Sequence, residues 1–305
     1  MKEPQDVPFE KEGQYLKSDN RSNISYFLEH NVLLRRFTLS VGVLANYNSA
    51  LNEGIHFYPG IDASYRIGDN FRLYGSWNRA LRMPTFTDLY YEGKTNKGNP
   101  DLKPEESEAF EVGLKYNTYF LRAHIAGFYR KGKNMIDWVK EKPEDIWESQ
   151  NLTKVDNLGF ETNLSLLPRE LGNERFFIRK IELGYAFIHQ DKDSEGYISN
   201  YALDYLKHKF TAQLSHSIWK GFSATWYVRW QDRAGSYTKY ENLKPAYEEP
   251  YAPYCLVDMK VNWEYQRLNL YAELNNLLNS TYYDLGNIPQ PGIWFKAGFR
   301  YSFKY

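Results

Sequence analysis

The sequence has little that points to disulfide or metal chemistry. It contains one cysteine, Cys255, in 305 residues, which excludes an internal disulfide and a cysteine-based zinc site. The six histidines are scattered, with no pair two or four residues apart. We therefore expect no metal site and no bound cofactor.

Net charge and long apolar runs are also missing. The 38 Lys+Arg residues balance the 38 Asp+Glu residues, so no net basic field exists that would hold nucleic acid. No apolar run approaches the roughly 20 residues of a membrane-spanning helix. The first residues, MKEPQDVPFEKEGQ, have acidic residues and prolines where an export signal has an apolar segment. We expect neither a transmembrane helix nor an export signal here.

Aromatic residues are abundant, with 8 Trp, 27 Tyr and 18 Phe. Apolar residues, many of them aromatic, recur with a period of two, the period of a β-strand, in segments of about ten residues. Residues 37–47, 222–231 and 293–305 each have one apolar parity and one polar parity. The sequence therefore predicts an all-β protein whose strands have one apolar face and one polar face.

Alternation is also typical of a soluble β-sandwich, so strand length and composition must decide between the two folds. The segments are roughly twice as long as the strands of globular proteins. Their polar parity carries charges such as Arg130, Lys260 and Glu273, as the watery lumen of a membrane barrel does. We predict an antiparallel transmembrane β-barrel with about thirteen strands in this sequence. The predicted strands are 22–34, 36–48, 54–67, 70–80, 105–117, 119–132, 150–167, 175–190, 199–217, 221–233, 250–264, 267–283 and 291–305.

The connections between the predicted strands differ in length. Residues 68–70 make a tight turn, whereas the connections 81–104, 133–149, 191–198 and 234–249 are long. Short periplasmic turns and long outer loops are typical of bacterial outer-membrane barrels, but an odd number of strands is not. We therefore expect residues 22–305 to be the carboxyl-terminal part of a larger barrel, with residues 1–21 as the remnant of an outer loop.

Two linked motifs carry a family resemblance. Residues 82–90, RMPTFTDLY, and 98–105, GNPDLKPE, resemble the R-x-P-[TS]-F-x-[DE]-L-[YF] and G-N-P-x-L-K-P-E signature of TonB-dependent outer-membrane transporters. Residues 276–279, NLLN, and 289–292, PQPG, are similar to the last outer loop of the same family. The resemblance covers essentially residues 22–305.

The resemblance implies a 22-stranded barrel with a plugged lumen, of which this sequence has the last thirteen strands and lacks the plug domain. It implies TonB-driven uptake of a scarce, large nutrient through the outer membrane of a Gram-negative bacterium. TonB would act through the amino-terminal plug, and outer-membrane lipid would surround the barrel. The first motif looks most like the cobalamin branch. The expected ligand is therefore vitamin B12, with a ferric siderophore as the alternative.

Ligand contacts in a closed barrel come from the outer loops and the upper lumen. Aromatic loop residues combine a flat apolar face with a hydroxyl donor, which suits a large, partly polar ligand. The expected ligand-binding residues are Phe86, Tyr90, Tyr91, Tyr237, Tyr240 and Tyr247. Ordinary loop packing is the alternative interpretation of each. Turn formers of the motif, such as Gly98 and Pro104, are expected to be structural.

Two other classes of function remain as alternatives, a passive porin and an outer-membrane barrel enzyme. A porin would lack the two linked motifs. An enzyme would need a converging Ser/His or Asp/His cluster at the rim, and no G-x-S-x-G element occurs in the sequence. We therefore expect no catalytic residues.

Overall fold

A computed structural model describes residues 2–3, 17–18, 20–49, 54–142, 144–172, 175–193, 196–199, 205–242, 244–286 and 288–303. Thirteen long strands lie within these ranges, one for each strand that the sequence predicts. They are β1 (Asn23–Leu33), β2 (Phe37–Asn48), β3 (Ile55–Ile67), β4 (Phe71–Arg82), β5 (Glu105–Asn117), β6 (Leu121–Lys140), β7 (Trp147–Leu166), β8 (Ile178–Asp193), β9 (Leu206–Trp219), β10 (Phe222–Arg233), β11 (Tyr254–Tyr265), β12 (Leu268–Asn275) and β13 (Trp294–Tyr301). Most of residues 1–21, the expected loop remnant, lie outside the described ranges.

The thirteen strands form one antiparallel sheet in which each strand pairs with the next strand in the chain. Among the described residues, the outer edges of β1 and β13 pair with no further strand. An up-and-down order of long antiparallel strands is the wall of a transmembrane barrel. The predicted fold class is therefore confirmed.

One face of the sheet consists of continuous apolar rows. Val41 on β2 lies opposite Ile61 on β3, which lies opposite Trp77 on β4. Large apolar side chains of this face are exposed. On β13, for example, Phe295 is 61% exposed and Phe299 is 73% exposed. A contiguous apolar surface of this extent belongs in lipid.

The opposite face of the sheet is polar. On β11, β12 and β13, the side chains of Lys260, Glu273 and Lys296 lie side by side. The two ammonium groups lie 2.8 and 2.6 Å from the Glu273 carboxylate. This face is the one that lines the lumen of a barrel.

β6 and β7 extend further than the sequence predicts. Residues 133–149 were expected to form a loop, but both strands continue into this region and stay paired there. The short strands Ile198–Ser199 and Asn96–Lys97 pair with the edges of the extension, which packs around Val139 and Leu152. The loop prediction was wrong because these strands are held by contacts with distant loops, and such contacts leave no local pattern.

Other predicted boundaries also differ from the structure. β12 ends at Asn275, not at 283, because Asn276 has a positive φ of 52°. The Asn276 side chain donates to Ser280 O at 2.9 Å and accepts from Ser280 N at 2.9 Å, which closes the turn. β9 begins at Leu206, and residues 200–204 of the strand predicted there lie outside the described ranges.

Helix is scarce in this structure. The described residues contain one α-helix, α1 (Phe86–Tyr90), and one 3₁₀ turn, Pro168–Leu171. Neither has the length and apolar character that a helical membrane span requires. Helix α1 lies in the long connection between β4 and β5, where the family motif is found.

Candidate ligand-binding site

Helix α1 holds the first group of predicted ligand-binding residues. It begins after Thr85, whose Oγ1 accepts a hydrogen bond from Asp88 N at 3.1 Å, while Asp88 Oδ2 accepts one from Thr85 N at 2.9 Å. This reciprocal capping box fixes the first turn. Phe86 and Tyr90, four residues apart, therefore stack with their ring centroids 6.2 Å apart.

Arg21 ties this helix to the top of the polar face. Its Nη1 donates to Pro84 O at 2.7 Å, and its guanidinium lies 5.0 Å from the centroid of the Phe86 ring. A cation over an aromatic face is attracted by the ring quadrupole. One face of the Phe86 ring is thus already in contact with the protein.

The rest of the motif anchors the loop. Arg82 donates from Nε and Nη2 to the two carboxylate oxygens of Glu105, both at 2.6 Å. Glu105 is buried and also accepts from Ile136 N at 2.7 Å. A Cβ atom at Gly98 would lie 2.7 Å from Tyr90 N, so only glycine fits at this position. These contacts are structural, as the turn-forming residues of the motif predict.

Tyr91 contacts Trp138, a residue that the sequence analysis did not predict to be near the site. Its ring packs edge-to-face against Trp138, with the centroids 6.3 Å apart. Trp138 lies on the extension of β6, where the sequence predicts a loop, so no alternation pattern places it on a strand. About half of the Tyr91 surface, 49%, remains exposed.

The second predicted group lies on a separate outer hairpin, Ser236–Glu241 paired with Lys244–Pro250. The Tyr237 ring packs against Tyr251 at 5.1 Å and Tyr283 at 5.7 Å between centroids. Its burial raises the pKa of the Tyr237 hydroxyl. Tyr237 therefore connects two outer loops.

The other two tyrosines of this hairpin have a different environment. Tyr240 and Tyr247 are 54% and 52% exposed. Beside them, a hydrogen bond from the Lys239 ammonium to Glu249, 2.6 Å long, lowers the pKa of the Glu249 carboxyl. Both rings are accessible, but neither lines a described cavity.

The two groups lie far apart on the sheet. The first follows β4 and precedes β5, and the second follows β10 and precedes β11. Five strand spacings separate β5 from β10, which is roughly 24 Å along the sheet. The ring contacts described for the six residues stay within each group's own surroundings. The structure therefore divides the predicted site into two parts.

A cavity of about 760 Å³ lies beside the first group, on the polar face of β1 to β4. Arg21 and Met83 connect it to the α1 loop. Its wall is rich in amides and hydroxyls, which come from Asn23, Ser25, Asn46, Asn48 and Asn78. Sequence reasoning missed these residues because they alternate with apolar residues like any lumen-facing position.

The side chains of this wall hold one another in place by hydrogen bonds. Asn46 Nδ2 donates to Asn23 Oδ1 at 3.0 Å and to Ser25 Oγ at 2.8 Å. Asn46 Oδ1 is buried and accepts no hydrogen bond from the described part of the chain. A fixed wall of amides and hydroxyls suits a ligand that donates and accepts hydrogen bonds.

The described residues contain no group of three His, Cys, Asp or Glu side chains that could hold a metal ion. The site is therefore characterised by rings, amides and cations.

Comparison with known proteins gives curated relatives of two kinds. The vitamin B12 transporter BtuB of Vibrio vulnificus (strain YJ016) is 26% identical over 225 residues, covering 55% of this chain and 36% of the relative. The ferrienterobactin receptor of Escherichia coli (strain K12) is 22% identical over 297 residues, covering 88% of this chain and 38% of the relative. This chain thus spans about a third of the length of these relatives.

Solved structures show the same architecture. A mutant of the ferric enterobactin receptor PfeA of Pseudomonas aeruginosa superposes with a TM-score of 0.72 at 19% identity, covering 93% of this chain and 45% of that chain. The family described as "TonB dependent receptor-like, beta-barrel" matches residues 4–277. Its members are outer-membrane proteins of Gram-negative bacteria, and this chain belongs to that family of TonB-dependent receptor barrels.

Proposed function

We propose that this chain forms part of a TonB-dependent receptor that takes up cobalamin across the outer membrane. TonB would drive the transport through an amino-terminal plug, and the barrel would do no chemistry. Membership of the family supports the transport function. Two curated relatives that are named vitamin B12 transporters support the choice of ligand.

The observation that carries this proposal is the amide-rich cavity beside α1. Cobalamin has a large corrin ring with carboxamide groups around its edge, and amides both donate and accept hydrogen bonds. The wall formed by Asn23, Asn46 and Asn78 offers the same groups in return. Phe86 and Tyr90, next to this wall, supply apolar ring surface for the corrin. We therefore place the ligand with the first aromatic group, not with the outer hairpin.

A ferric siderophore is the second candidate, and lysines on the polar face favour it. Lys207 and Lys209 are exposed on β9 and make no ion pair with a described carboxylate. Free cations attract anionic iron chelates. Relatives and structural neighbours named as siderophore receptors agree with this choice. A passive porin or a barrel enzyme has no comparable support.

The test is equilibrium binding of cyanocobalamin and of a ferric siderophore to the whole protein. Replacing Tyr90 and Tyr91 together by Ala should weaken binding by roughly 1.5 to 3 kcal/mol, the value of one buried ring. We expect the binding free energy of only one ring to be lost, because the Tyr91 ring already packs against Trp138. The matched control replaces Tyr240 and Tyr247 by Ala and should leave the affinity unchanged.

Heat-modifiable gel mobility shows whether each variant folds. An unchanged affinity after the Tyr90 and Tyr91 replacement would remove both residues from the site. Binding of the siderophore alone would overturn the cobalamin assignment and leave the receptor function intact.

A further inference from the structure

The ladder between β3 and β4 is incomplete at its outer end. These two strands pair up to Gly60 on β3 and Asn78 on β4, and no further. Above this last pair, residues 55–59 of β3 still pair with β2, and residues 79–82 of β4 still pair with β5. Each of the two segments therefore has a free edge on the side that faces the other segment. We call the space between these two edges the slot.

Pro59 explains why the ladder ends at this point. Proline has no backbone N–H to donate to a ladder, so within sheets it is confined to edges, strand starts and bulges. In an antiparallel ladder, the N–H and C=O groups of one residue point to the same neighbouring strand. Val43 on β2 stays opposite Pro59, whereas Arg79 on β4 does not pair with it. The missing donor therefore faces β4.

The slot lies above the apolar band of the sheet. Trp77, Phe110 and Tyr129 form a cross-strand row on the lipid-facing side, as the aromatic girdle of an outer-membrane barrel does. The next row on this side is charged, with Arg79 opposite Glu108. The slot begins at the level of Arg79. It therefore passes through the wall of the barrel at the outer rim, where the wall meets water.

The slot reaches the cavity of about 760 Å³ that lies beside α1. Tyr58 and Pro59 line this cavity from the edge of β3, and Arg79, Ala80 and Leu81 line it from the edge of β4. Neighbouring residues of a strand point to opposite faces of the sheet. Residues of both faces thus line the cavity, which means that it extends through the wall. The slot is a side opening of this cavity.

Arg21 connects the two sides of the slot at the top. It precedes β1, and its Nη1 donates to O of Pro84, two residues after the end of β4, at 2.7 Å. Its guanidinium also lies over the Phe86 ring, 5.0 Å from the centroid. A single hydrogen bond and a single cation–π contact can break and reform at low cost. Arg21 therefore holds the α1 loop against the β1 side of the sheet by contacts that are reversible.

We propose that the slot is a gate of the cavity. When Arg21 releases the α1 loop, the outer ends of β1, β2 and β3 move away from β4, and the cargo enters or leaves the cavity. This movement breaks no hydrogen bond of the β3–β4 ladder, because that ladder ends at Gly60. The paired part of the ladder below Gly60 and Asn78 is the hinge. The cavity is the cargo site proposed above, so the gate rests on the proposed function.

The experiment locks the slot with a disulfide in the whole protein. Phe57→Cys and Leu81→Cys lie three positions beyond the last pair, and a continued ladder would bring their Cα atoms to about 5.5 Å, which a disulfide can span. Cys255 is replaced by Ser, so that residues 1–305 contain no other cysteine. The matched control combines Ala63→Cys with Gly75→Cys, which lie opposite each other in the paired part of the same two strands.

Two single variants test the gate without a disulfide. Pro59→Val returns the missing N–H, so that the ladder can continue and close the slot. Arg21→Ala removes the two contacts that hold the α1 loop. A gate changes the association and dissociation rates together, whereas the loss of a ligand contact changes mainly the dissociation rate.

We expect the oxidised Phe57 and Leu81 variant to bind and to release cyanocobalamin about tenfold more slowly than the same sample after reduction, because binding that requires a conformational change is slow. Pro59→Val should slow both rates in the same way. Arg21→Ala should raise both rates. The control pair should have the same rates before and after reduction.

Equal rates before and after reduction in the Phe57 and Leu81 variant would overturn the gate. A failure of this pair to cross-link, while the control pair does, would also overturn it, because the two edges would then never approach each other. Faster dissociation alone in Arg21→Ala would make Arg21 a ligand contact instead.

Heat-modifiable gel mobility shows whether each variant folds. If the cysteine variant does not fold, unchanged rates in Pro59→Val would overturn the gate. If the wild type binds no corrinoid, the proposed cargo is wrong, and the same rates are measured with a ferric siderophore. Slower binding and release of the siderophore in the locked variant would then support the gate, and unchanged rates would overturn it.

Discussion

Arg82 and Glu105 are 23 positions apart in the sequence, yet they make the tightest side-chain contact of the family motif. The planar guanidinium matches the two carboxylate oxygens, and the remaining capacity of Glu105 is used by Ile136 N. Glu105 therefore joins the end of β4, the start of β5 and the extension of β6. At the scale of the residue, the motif builds the loop that carries Phe86 and Tyr90, and it leaves ligand contact to other side chains.

The Glu105→Gln variant tests this role. It keeps the shape of the side chain but removes the charge, so the free energy of unfolding should fall by about 2 kcal/mol, as for a hydrogen bond to a charged group. The matched control is Glu106→Gln on the neighbouring position, where the ion pair with Arg79 is 3.6 Å long and exposed. It should cost at most about 0.5 kcal/mol. Urea unfolding followed by tryptophan fluorescence measures both, and equal losses would contradict the anchoring role.

At the scale of the element, each strand separates lipid from water by its parity. On β10, Val228 lies between Ala212 and Val257, whereas Thr225 lies between Ser215 and Lys260. The neighbours on adjacent strands thus repeat the polarity of each residue. This agreement across three strands fixes the register, because a slip of one residue would move every apolar side chain to the polar face.

Arginine placed on the two faces of β10 should have different effects. Val228→Arg should destabilise the barrel by roughly 2 to 4 kcal/mol, because it brings a charge into the lipid. Thr225→Arg should cost much less, since its side chain faces the lumen beside other polar groups. Unfolding in phospholipid vesicles measures the difference, and equal costs would show that the two faces are assigned wrongly.

At the scale of the whole molecule, the sheet has two ends. Within the described residues, β1 and β13 each pair on one side only. Tyr26 on β1 and Phe299 on β13 are 69% and 73% exposed. The unpaired backbone N–H and C=O groups of an edge strand can form hydrogen bonds with a further strand.

We therefore predict that residues 1–305, expressed alone, give no TonB-driven uptake of cyanocobalamin or of a ferric siderophore. Among the described residues, β1 and β13 each have one unpaired edge, so strands from outside residues 1–305 would be needed to close a barrel. Uptake into proteoliposomes with an energised TonB system is the measurement. Passive leakage is subtracted with a de-energised sample, and energy-dependent uptake would contradict the prediction.

The sequence by itself determined the thirteen strands, the two faces of each strand and the family. Alternation is a local property of neighbouring residues, so it can be read from a segment such as 222–231 without knowing its partners.

Only the tertiary structure decided which residues meet. The amides of Asn23, Asn46 and Asn78 come from three strands, and the register of those strands brings them to one cavity wall. Strand pairing likewise puts Lys115 on β5 and Arg229 on β10 in one cross-strand row, although 114 positions separate them. Tyr91 and Trp138 meet because β6 extends beyond its predicted end. Such contacts depend on pairing between distant segments, and the alternation within one strand does not contain that information.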